Sequence, residues 1–203
     1  MKGSDSVASP IHISKTTSGT WTCGVVEVDL LADRFAAGST FEELLARAKD
    51  NSDLWNAIYR RATLDEDAVR RAHTIQHRFH FLVLNEDWCG DSVNILPYVA
   101  RLAEASDHLE MRILSRDRNP DLMNAHLTGG KSRSIPVVIV YDSVFRELGW
   151  WGPRPGPLQT WFLNEGLALP KPDRYPLIRA WYARDKGRTI VSELLSIIEG
   201  LDA

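Results

Sequence analysis

The chain of 203 residues is 44% hydrophobic with a formal net charge of −3, a composition typical of a globular protein with a sizeable core. No stretch collects the lysines and arginines that bind a phosphate backbone, so nucleic acid is not an expected partner. The polar N-terminus lacks the apolar segment of a secretory signal, and no window approaches the roughly 20 apolar residues of a membrane span. We therefore expect a soluble, cytoplasmic protein without membrane contact.

The first part of the chain, residues 1–78, is predicted to be an arm followed by helices that pack on the core. Residues 1–20 show little periodicity and are expected to be flexible or draped, and "WTCGVVEVD" alternates like a short strand. In "STFEELLARAKD", Thr40 and Glu43 form the capping box of a helix start. The stretches "DLWNAIYRRA" and "DEDAVRRAHTIQHRF" predict two further helices, each with acids in its first turn.

Residues 79–155 are predicted to form an α/β core. The run "FHFLVLN" is typical of a central strand, and the helix "DSVNILPYVARLAEAS" follows it closely. A strand "LEMRILS", a short helix "PDLMNAHL" and two strands that pair as a hairpin, "IPVVIVYD" and "FRELGWW", complete the order β, α, β, α, β, β. Residues 156–203 are predicted to be a helical extension, and the three segments to form one globular unit.

Cys89 lies at the turn between the first core strand and its helix. The unpaired N–H groups of a helix start favour a thiolate and can lower a cysteine pKa from about 8.5 to about 3.5–7.5. Asp91 opposes this, because two charges about 6 Å apart repel by roughly 0.7–3 kcal/mol while a helix terminus contributes about 0.3–2 kcal/mol. We expect an exposed, usable thiolate without a strongly lowered pKa; the alternative is a small buried apolar residue.

The residues around Cys89 resemble the active site of the thioredoxin fold. Trp88, Cys89 and Gly90 match the family's tryptophan, nucleophilic cysteine and glycine, and Pro97 falls where the family kinks its active-site helix. The predicted element order matches as well. The resemblance implies a central mixed β-sheet flanked by helices, here with extra N-terminal and C-terminal helices.

A second matching segment is Ile135 and Pro136, which correspond to the residue and cis-proline that face the thiol in this family. Within the superfamily the whole chain looks most like the thioredoxin-like proteins that carry W-C-G-D-S, a loop ending R-S-I-P and a later G-P-R-P. A cis bond would leave the Ile135 backbone free to pair with an extended peptide or with the backbone of a small peptide thiol.

Ser92 stands where dithiol thioredoxins have their second cysteine. A dithiol protein releases its substrate through that second thiolate. The resemblance therefore implies a monothiol mechanism, in which glutathione or another low-molecular-weight thiol, or else the distant Cys23, resolves the mixed disulfide. Ser92 either hydrogen-bonds the thiolate or caps a backbone group, and Asp91 either transfers a proton or stabilises the first helical turn.

Substrate binding is assigned to the residues next to the thiol. Trp88 would shape the rim, Gly90 would let the chain turn tightly, and Ile135 with Pro136 would orient a disulfide-containing protein or a small-thiol substrate.

Two basic segments have two interpretations each. Arg133 and Lys131 would hold a substrate carboxylate, or they belong to a solvated loop. Arg154 would bind substrate in a groove lined by Trp150 and Trp151, or these tryptophans belong to the core and rim of the sheet edge.

No metal site is expected. His73 and His77 are spaced to share one helical face and His80 follows soon after, but no third ligand within reach is evident.

Three functions remain open from the sequence. The first is a thiol–disulfide oxidoreductase that uses Cys89 alone and requires no cofactor. The second is a glutathione-dependent iron–sulfur cluster protein, since C-G-x-S also resembles the motif of monothiol glutaredoxins. The third is an interaction protein that keeps the fold without turnover.

Overall fold

The computed structural model describes residues 11–13 and 24–200. The described residues form five strands and nine α-helices. In chain order these are β1 Ile11–Ile13, α1 Gly24–Ala36, α2 Phe41–Arg47, α3 Ser52–Arg61, α4 Glu66–His73, β2 Phe79–Asn85, α5 Gly90–Glu104, β3 Leu109–Ser115, α6 Pro120–Ala125, β4 Val137–Asp142, β5 Glu147–Trp151, α7 Gly156–Asn164, α8 Lys171–Asp185 and α9 Arg188–Glu199, with a 3₁₀ turn at Gly166–Ala168.

The strands form one mixed sheet in the order β1-β5-β4-β2-β3. Strands β2 and β3 are parallel, whereas β4 runs antiparallel to both β2 and β5, and β1 antiparallel to β5. The predicted α/β class and the β, α, β, α, β, β order from Phe79 onward are confirmed, including the β4–β5 hairpin. All seven residues of β2 are buried, which explains why "FHFLVLN" is apolar almost throughout instead of alternating.

Each face of the sheet is covered by its own apolar cluster. On one face Phe81 and Val83 of β2 pack with buried residues of α2, α3, α5 and α9. On the other face Leu82 and Leu84 pack in a smaller cluster with Phe35 of α1, Met123 of α6 and the side chain of Cys89. The thiol therefore belongs to the second, smaller core and not to the solvent-facing surface.

The N-terminal helices agree in part with the sequence prediction. The capping box of Thr40 and Glu43 is confirmed at the start of α2. The strand predicted from "WTCGVVEVD" is wrong, because helix α1 begins at Gly24. The alternation there covers only a few residues, and the pattern continues into Leu31 and Phe35, which are spaced by one helical turn and pack against the second cluster. Within the predicted arm, residues 1–20, Ile11–Ile13 form strand β1 at the edge of the sheet, whereas residues 1–10 and 14–20 lie outside the described residues, as do residues 21–23.

The three C-terminal helices are confirmed as α7, α8 and α9. Helix α9 contributes six buried side chains, among them Leu194 and Ile198, to the larger core cluster. No helix in the described ranges 24–200 is long and apolar enough to span a lipid bilayer.

Trp55 of α3 joins the N-terminal helices to the loop that precedes Cys89. Its side chain is fully buried, and its indole N–H donates to the Asp87 carbonyl oxygen over 3.1 Å. The Lys49 backbone N–H donates to the Asp87 carboxylate over 3.0 Å, and the Asn51 amide donates to the Asp87 carbonyl oxygen over 3.3 Å. The loop before the thiol is thus held from the side of α2 and α3.

Replacing Trp55 with alanine should remove both the packing and the hydrogen bond. We expect Trp55→Ala to lower the free energy of unfolding by about 3–5 kcal/mol, the usual cost of truncating a buried tryptophan. Urea denaturation followed by circular dichroism measures this. Leu54→Ala is the matched control, because the neighbouring Leu54 is 41% exposed. Equal losses in the two variants would contradict the anchoring role of Trp55.

Candidate functional site

Cys89 is the N-cap residue of α5, with φ −76° and ψ 112°. Its backbone oxygen accepts a hydrogen bond from the Val93 N–H over 3.2 Å, which closes the first turn of the helix. The Cys89 side chain therefore lies at the helix start. The thiol Sγ donates to the Ile135 carbonyl oxygen over 3.4 Å. The Ile135–Pro136 peptide bond is cis, as the sequence resemblance implied. The structure thus brings together the two segments that sequence analysis placed at the site.

The expectation of an exposed thiolate is wrong, because Cys89 is only 7% exposed. Burial raises the pKa of the Cys89 thiol above its ordinary value, and the charge of Asp91 acts in the same direction. The Ile135 oxygen accepts a hydrogen bond that only the protonated thiol can donate, which also favours the thiol. Hydrogen bonds from the first turn of α5 oppose these effects but do not outweigh them. In the free protein Cys89 is therefore a thiol at neutral pH.

Ser92 is the third residue of α5, within its first turn, and is fully buried. Its hydroxyl has no hydrogen-bond partner among the described residues. Its side chain and its backbone N–H nevertheless lower the pKa of Cys89, since both can donate to a thiolate. Which of the two roles considered for Ser92 applies stays a prediction.

Asp91 is held by two residues from distant parts of the chain. The Arg154 guanidinium donates to Asp91 Oδ2 over 2.5 Å, and the Tyr182 hydroxyl donates to Asp91 Oδ1 over 2.9 Å. Burial, followed by the charge of Asp91, raises the pKa of Tyr182 well above its ordinary value, so this hydroxyl remains a donor. The Asp91 and Arg154 side chains are each 14% exposed. The carboxylate next to the thiol is therefore paired and largely screened from solvent.

Arg154 is held in place on its other side. Its guanidinium lies 4.0 Å from the centre of the Phe162 ring and donates to the buried Gln159 side chain over 3.3 Å. Both partners come from α7. Arg154, assigned from sequence to substrate binding, is thus directed at Asp91 in this structure.

Gly152 connects the Arg154 loop to the Pro136 loop. Its φ of +140° is one that side-chain-bearing residues rarely adopt, and a Cβ there would lie 2.3 Å from the Pro136 carbonyl oxygen. The W-C-G-D-S, R-S-I-P and G-P-R-P segments of the sequence therefore meet at one place, through Cys89 with Ile135, Gly152 with Pro136, and Arg154 with Asp91.

Comparison with known proteins agrees with this geometry. A family model described as thioredoxin matches residues 38–168, more than half of the chain. The chain belongs to this thioredoxin family. The match extends beyond residues 79–155 on both sides, so it includes α2, α3 and α4 before the first core strand.

Two solved structures share the fold. A Pseudomonas aeruginosa protein of unknown function has a TM-score of 0.66 and 22% sequence identity, covering 84% of this chain and 97% of its own. An HIV epitope scaffold has a TM-score of 0.66 and 23% identity, covering 83% of this chain and 97% of its own. A search of curated proteins found no match to this chain. The fold is thioredoxin-like, and extra terminal helices surround it.

In this thioredoxin-like frame, Trp88 and Gly90 form the open side of the site. Trp88 is 48% exposed, with the Arg116 guanidinium 5.1 Å from its ring centre. Gly90 begins α5, has no left-handed φ, and a Cβ added there would meet no atom of the described residues within 4 Å. The role in a tight turn proposed for Gly90 is therefore wrong, and the space beside it is open to a substrate.

The other basic and aromatic candidates make no hydrogen bond to the thiol among the described residues. Exposed Arg133 donates to the Asn124 side chain over 2.9 Å, and Lys131 is exposed, so a carboxylate-binding role for them stays a prediction. Trp151 is fully buried and donates to Glu193 over 2.6 Å, while Trp150 packs edge-on against His126. The groove interpretation of the two tryptophans is wrong, since both belong to the core.

The structure addresses the histidine pair but not the alternatives that involve Cys23 or a cofactor. Helix α4 ends at His73, so His77 does not continue the same helical face. Among the described residues no group of three or more His, Cys, Asp and Glu side chains could hold a metal ion. Cys23 lies outside the described residues, and its resolving role stays a prediction. The glutathione-dependent iron–sulfur alternative stays a prediction.

Tyr182, Phe162 and Gln159 are the site residues that sequence analysis missed. Tyr182 is 91 positions away from Asp91 and sits in a helix with ordinary apolar spacing. No local signal distinguishes it from a core tyrosine.

Two glycines near the thiol should respond oppositely to alanine. We expect Gly152→Ala to lower the free energy of unfolding by at least 1 kcal/mol, because the new Cβ collides with the Pro136 backbone at a strained φ. Gly90→Ala should be neutral or stabilising by up to about 1 kcal/mol, since alanine favours the helix. Thermal denaturation measures both; a destabilised Gly90→Ala variant would contradict the open space described here.

The two neighbours of Cys89 should shift its pKa in opposite directions. Asp91→Asn removes a negative charge and is expected to lower the Cys89 pKa, whereas Ser92→Ala removes a donor to the thiolate and is expected to raise it. The pH dependence of iodoacetamide alkylation, measured in a Cys23→Ser background, gives each midpoint. The parent midpoint should lie above that of free cysteine. Shifts of the same sign in both variants would contradict this electrostatic arrangement.

Proposed function

We propose that this protein is a thiol–disulfide oxidoreductase that acts through one cysteine. The observation that carries the proposal is the placement of Cys89 Sγ at the N-terminus of α5, 3.4 Å from the carbonyl oxygen of Ile135. A disulfide that enters beside Gly90 would meet the thiol at the helix start, where the first-turn N–H groups stabilise negative charge. The exposed Trp88 forms the rim of that entry.

The reaction has two exchange steps. Cys89 loses its proton to solvent, and its thiolate attacks one sulfur of a disulfide R–S–S–R′. The Cys89–S–S–R bond forms while the R′ thiolate leaves with the electron pair of the broken bond. A low-molecular-weight thiol such as glutathione then attacks the mixed disulfide, which restores Cys89 and forms a disulfide with R. Ser92 occupies the position of a resolving cysteine, so the second thiol comes from outside the site.

The raised Cys89 pKa has two consequences for these steps. The thiolate fraction is small at neutral pH, but a thiolate of higher pKa is intrinsically more nucleophilic, which offsets part of the loss. A high-pKa thiol is also a poor leaving group, so the mixed disulfide should be long-lived. Slow exchange with a persistent covalent intermediate is the expected behaviour, and a reducing compartment such as the cytoplasm would supply the second thiol.

Asp91 is proposed to act by position. It is engaged by Arg154 and Tyr182, and these contacts fix the first turn of α5 beneath the thiol. Ser92 supplies a hydroxyl to the thiolate once the proton has left. Ile135 and Pro136 provide the backbone surface against which an extended substrate would lie.

A second candidate is an interaction protein without turnover. The burial of Cys89 favours it, because a thiol that is 7% exposed is also what a purely structural cysteine shows. In that case serine at position 89 would leave partner binding unchanged.

The test is adduct formation and turnover. Cys23→Ser protein is incubated with glutathione disulfide at increasing pH, and intact mass spectrometry is expected to show one thiol-reversible adduct. Glutathione-dependent reduction of bis(2-hydroxyethyl) disulfide should then be retained in Cys23→Ser and lost in Cys89→Ser. No adduct at any pH, or equal turnover in both variants, would overturn the oxidoreductase proposal.

A further inference from the structure

A cavity of about 370 Å³ lies at the carboxyl ends of the parallel strands β2 and β3. Its lining includes Asn85 and Ser115, the last residues of the two strands. Asp87, two positions before Cys89, also lines it, whereas Cys89 does not. The crevice outside the carboxyl ends of parallel strands is where α/β proteins commonly bind ligands, and a cavity of this size is in the lower range of small-molecule pockets, about 300–1,000 Å³.

Asn85, which lines this cavity, has an unusual feature: its buried side-chain amide is unpaired. It is only 2% exposed, and neither its amide nitrogen nor its amide oxygen has a hydrogen-bond partner among the described residues. Buried side-chain amides are almost always hydrogen-bonded, because an unpaired one costs the free energy of its lost hydration. An unpaired amide on a residue that lines a cavity is therefore a candidate hydrogen-bonding partner for a molecule that carries its own donor and acceptor.

The charges around the cavity favour an anion. Arg47, Lys49 and Arg118 line it together with Glu86 and Asp87. The two carboxylates are already engaged. Glu86 accepts from the Ser115 hydroxyl over 2.8 Å and from the Asp117 backbone N–H over 3.0 Å, and Asp87 accepts from the Lys49 backbone N–H over 3.0 Å.

The basic side chains that line the cavity make fewer polar contacts than the two acids. The Arg47 guanidinium donates to the Ser39 hydroxyl over 2.5 Å. The side chains of Lys49 and Arg118 make no ion pair with any of the described residues, and both are exposed. Because hydrogen bonds from neutral groups leave the carboxylates charged, the three cations Arg47, Lys49 and Arg118 exceed the acids by one positive charge along the lining.

We infer that this cavity binds a small molecule that carries both a carboxylate and an amide, such as an acylated acidic amino acid or a short acidic peptide. The carboxylate pairs with Lys49 and Arg118, and the amide exchanges hydrogen bonds with Asn85. The inference does not depend on thiol chemistry at Cys89, because the cavity is lined by other residues.

The experiment uses two probes that differ in the amide alone. N-acetylglutamate and glutarate are titrated into the full-length Cys89→Ser chain by isothermal titration calorimetry, so that no thiol reaction contributes. N-acetylglutamate is expected to bind roughly fivefold more tightly than glutarate, the effect of about one hydrogen bond. Absence of binding by N-acetylglutamate, or equal affinity for the two probes, would overturn the inference.

Substitutions test separately the interaction of the ligand amide with Asn85 and that of the ligand carboxylate with Lys49 and Arg118. Asn85→Leu should remove the preference for N-acetylglutamate, whereas Asn164→Leu, at an exposed position outside the cavity, should keep it. The Lys49→Gln/Arg118→Gln pair should weaken both probes by roughly tenfold or more, unlike the exposed pair Lys171→Gln/Arg179→Gln. Unchanged binding in the Lys49/Arg118 variant would overturn the inference.

Thermal denaturation shows whether a loss of binding in Asn85→Leu results from a loss of folding. Asn85→Leu replaces an unpaired buried amide with an apolar side chain of similar size and is expected to be at least as stable as the parent. A stable Asn85→Leu chain that retains the preference for N-acetylglutamate would also overturn the inference. Turnover in the Cys89 assay is a separate measurement, so failure of either proposal leaves the other intact.

Discussion

The arrangement of the site depends on the interactions of the Asp91 carboxylate with Arg154 and Tyr182. A largely buried charge is tolerated only when it is paired. Asp91 accepts hydrogen bonds from Arg154, in the loop after β5, and from Tyr182 of α8. Removing one partner of a buried ion pair typically costs about 3–5 kcal/mol, because the other charge is left uncompensated. The first turn of α5 is thereby tied to the C-terminal extension, and α8 becomes part of the wall of the thiol site.

Cys89 experiences opposing effects that the same contacts create. The helix start and Ser92 favour a thiolate, while burial, the charge of Asp91 and the Ile135 oxygen favour the thiol. Pairing Asp91 with Arg154 brings a positive charge close to the carboxylate and so limits its repulsion of the thiolate. The protein thus keeps a protonated thiol in a nearly closed site, with Trp88 and Gly90 as its open side. Under the proposed oxidoreductase function, such a thiol suits slow, selective exchange better than rapid turnover.

Much of the fold follows from local patterns. The continuous apolar run of β2, the capping box at Thr40 and the helical spacing of the C-terminal segments predicted elements that the structure contains. The similarity to thioredoxin supplied the expected cis bond at Pro136 and located Cys89 at a helix start. Helix α1 was missed because a few alternating residues resemble a strand, whereas Leu31 and Phe35, one helical turn apart, both pack on the second cluster.

By itself the sequence determined the order of elements from Phe79 onward, the thioredoxin-like class and the identity of the central cysteine, because neighbouring residues and short motifs carry that information. Tertiary structure alone decided that Cys89 is buried, that Arg154 and Tyr182 hold Asp91 across 63 and 91 positions, and that Asn85 lines a cavity with its amide unpaired. Solvent exposure, and with it the pKa of a thiol, depends on which distant segments cover a residue. The local pattern of apolar residues does not indicate which distant segments those are.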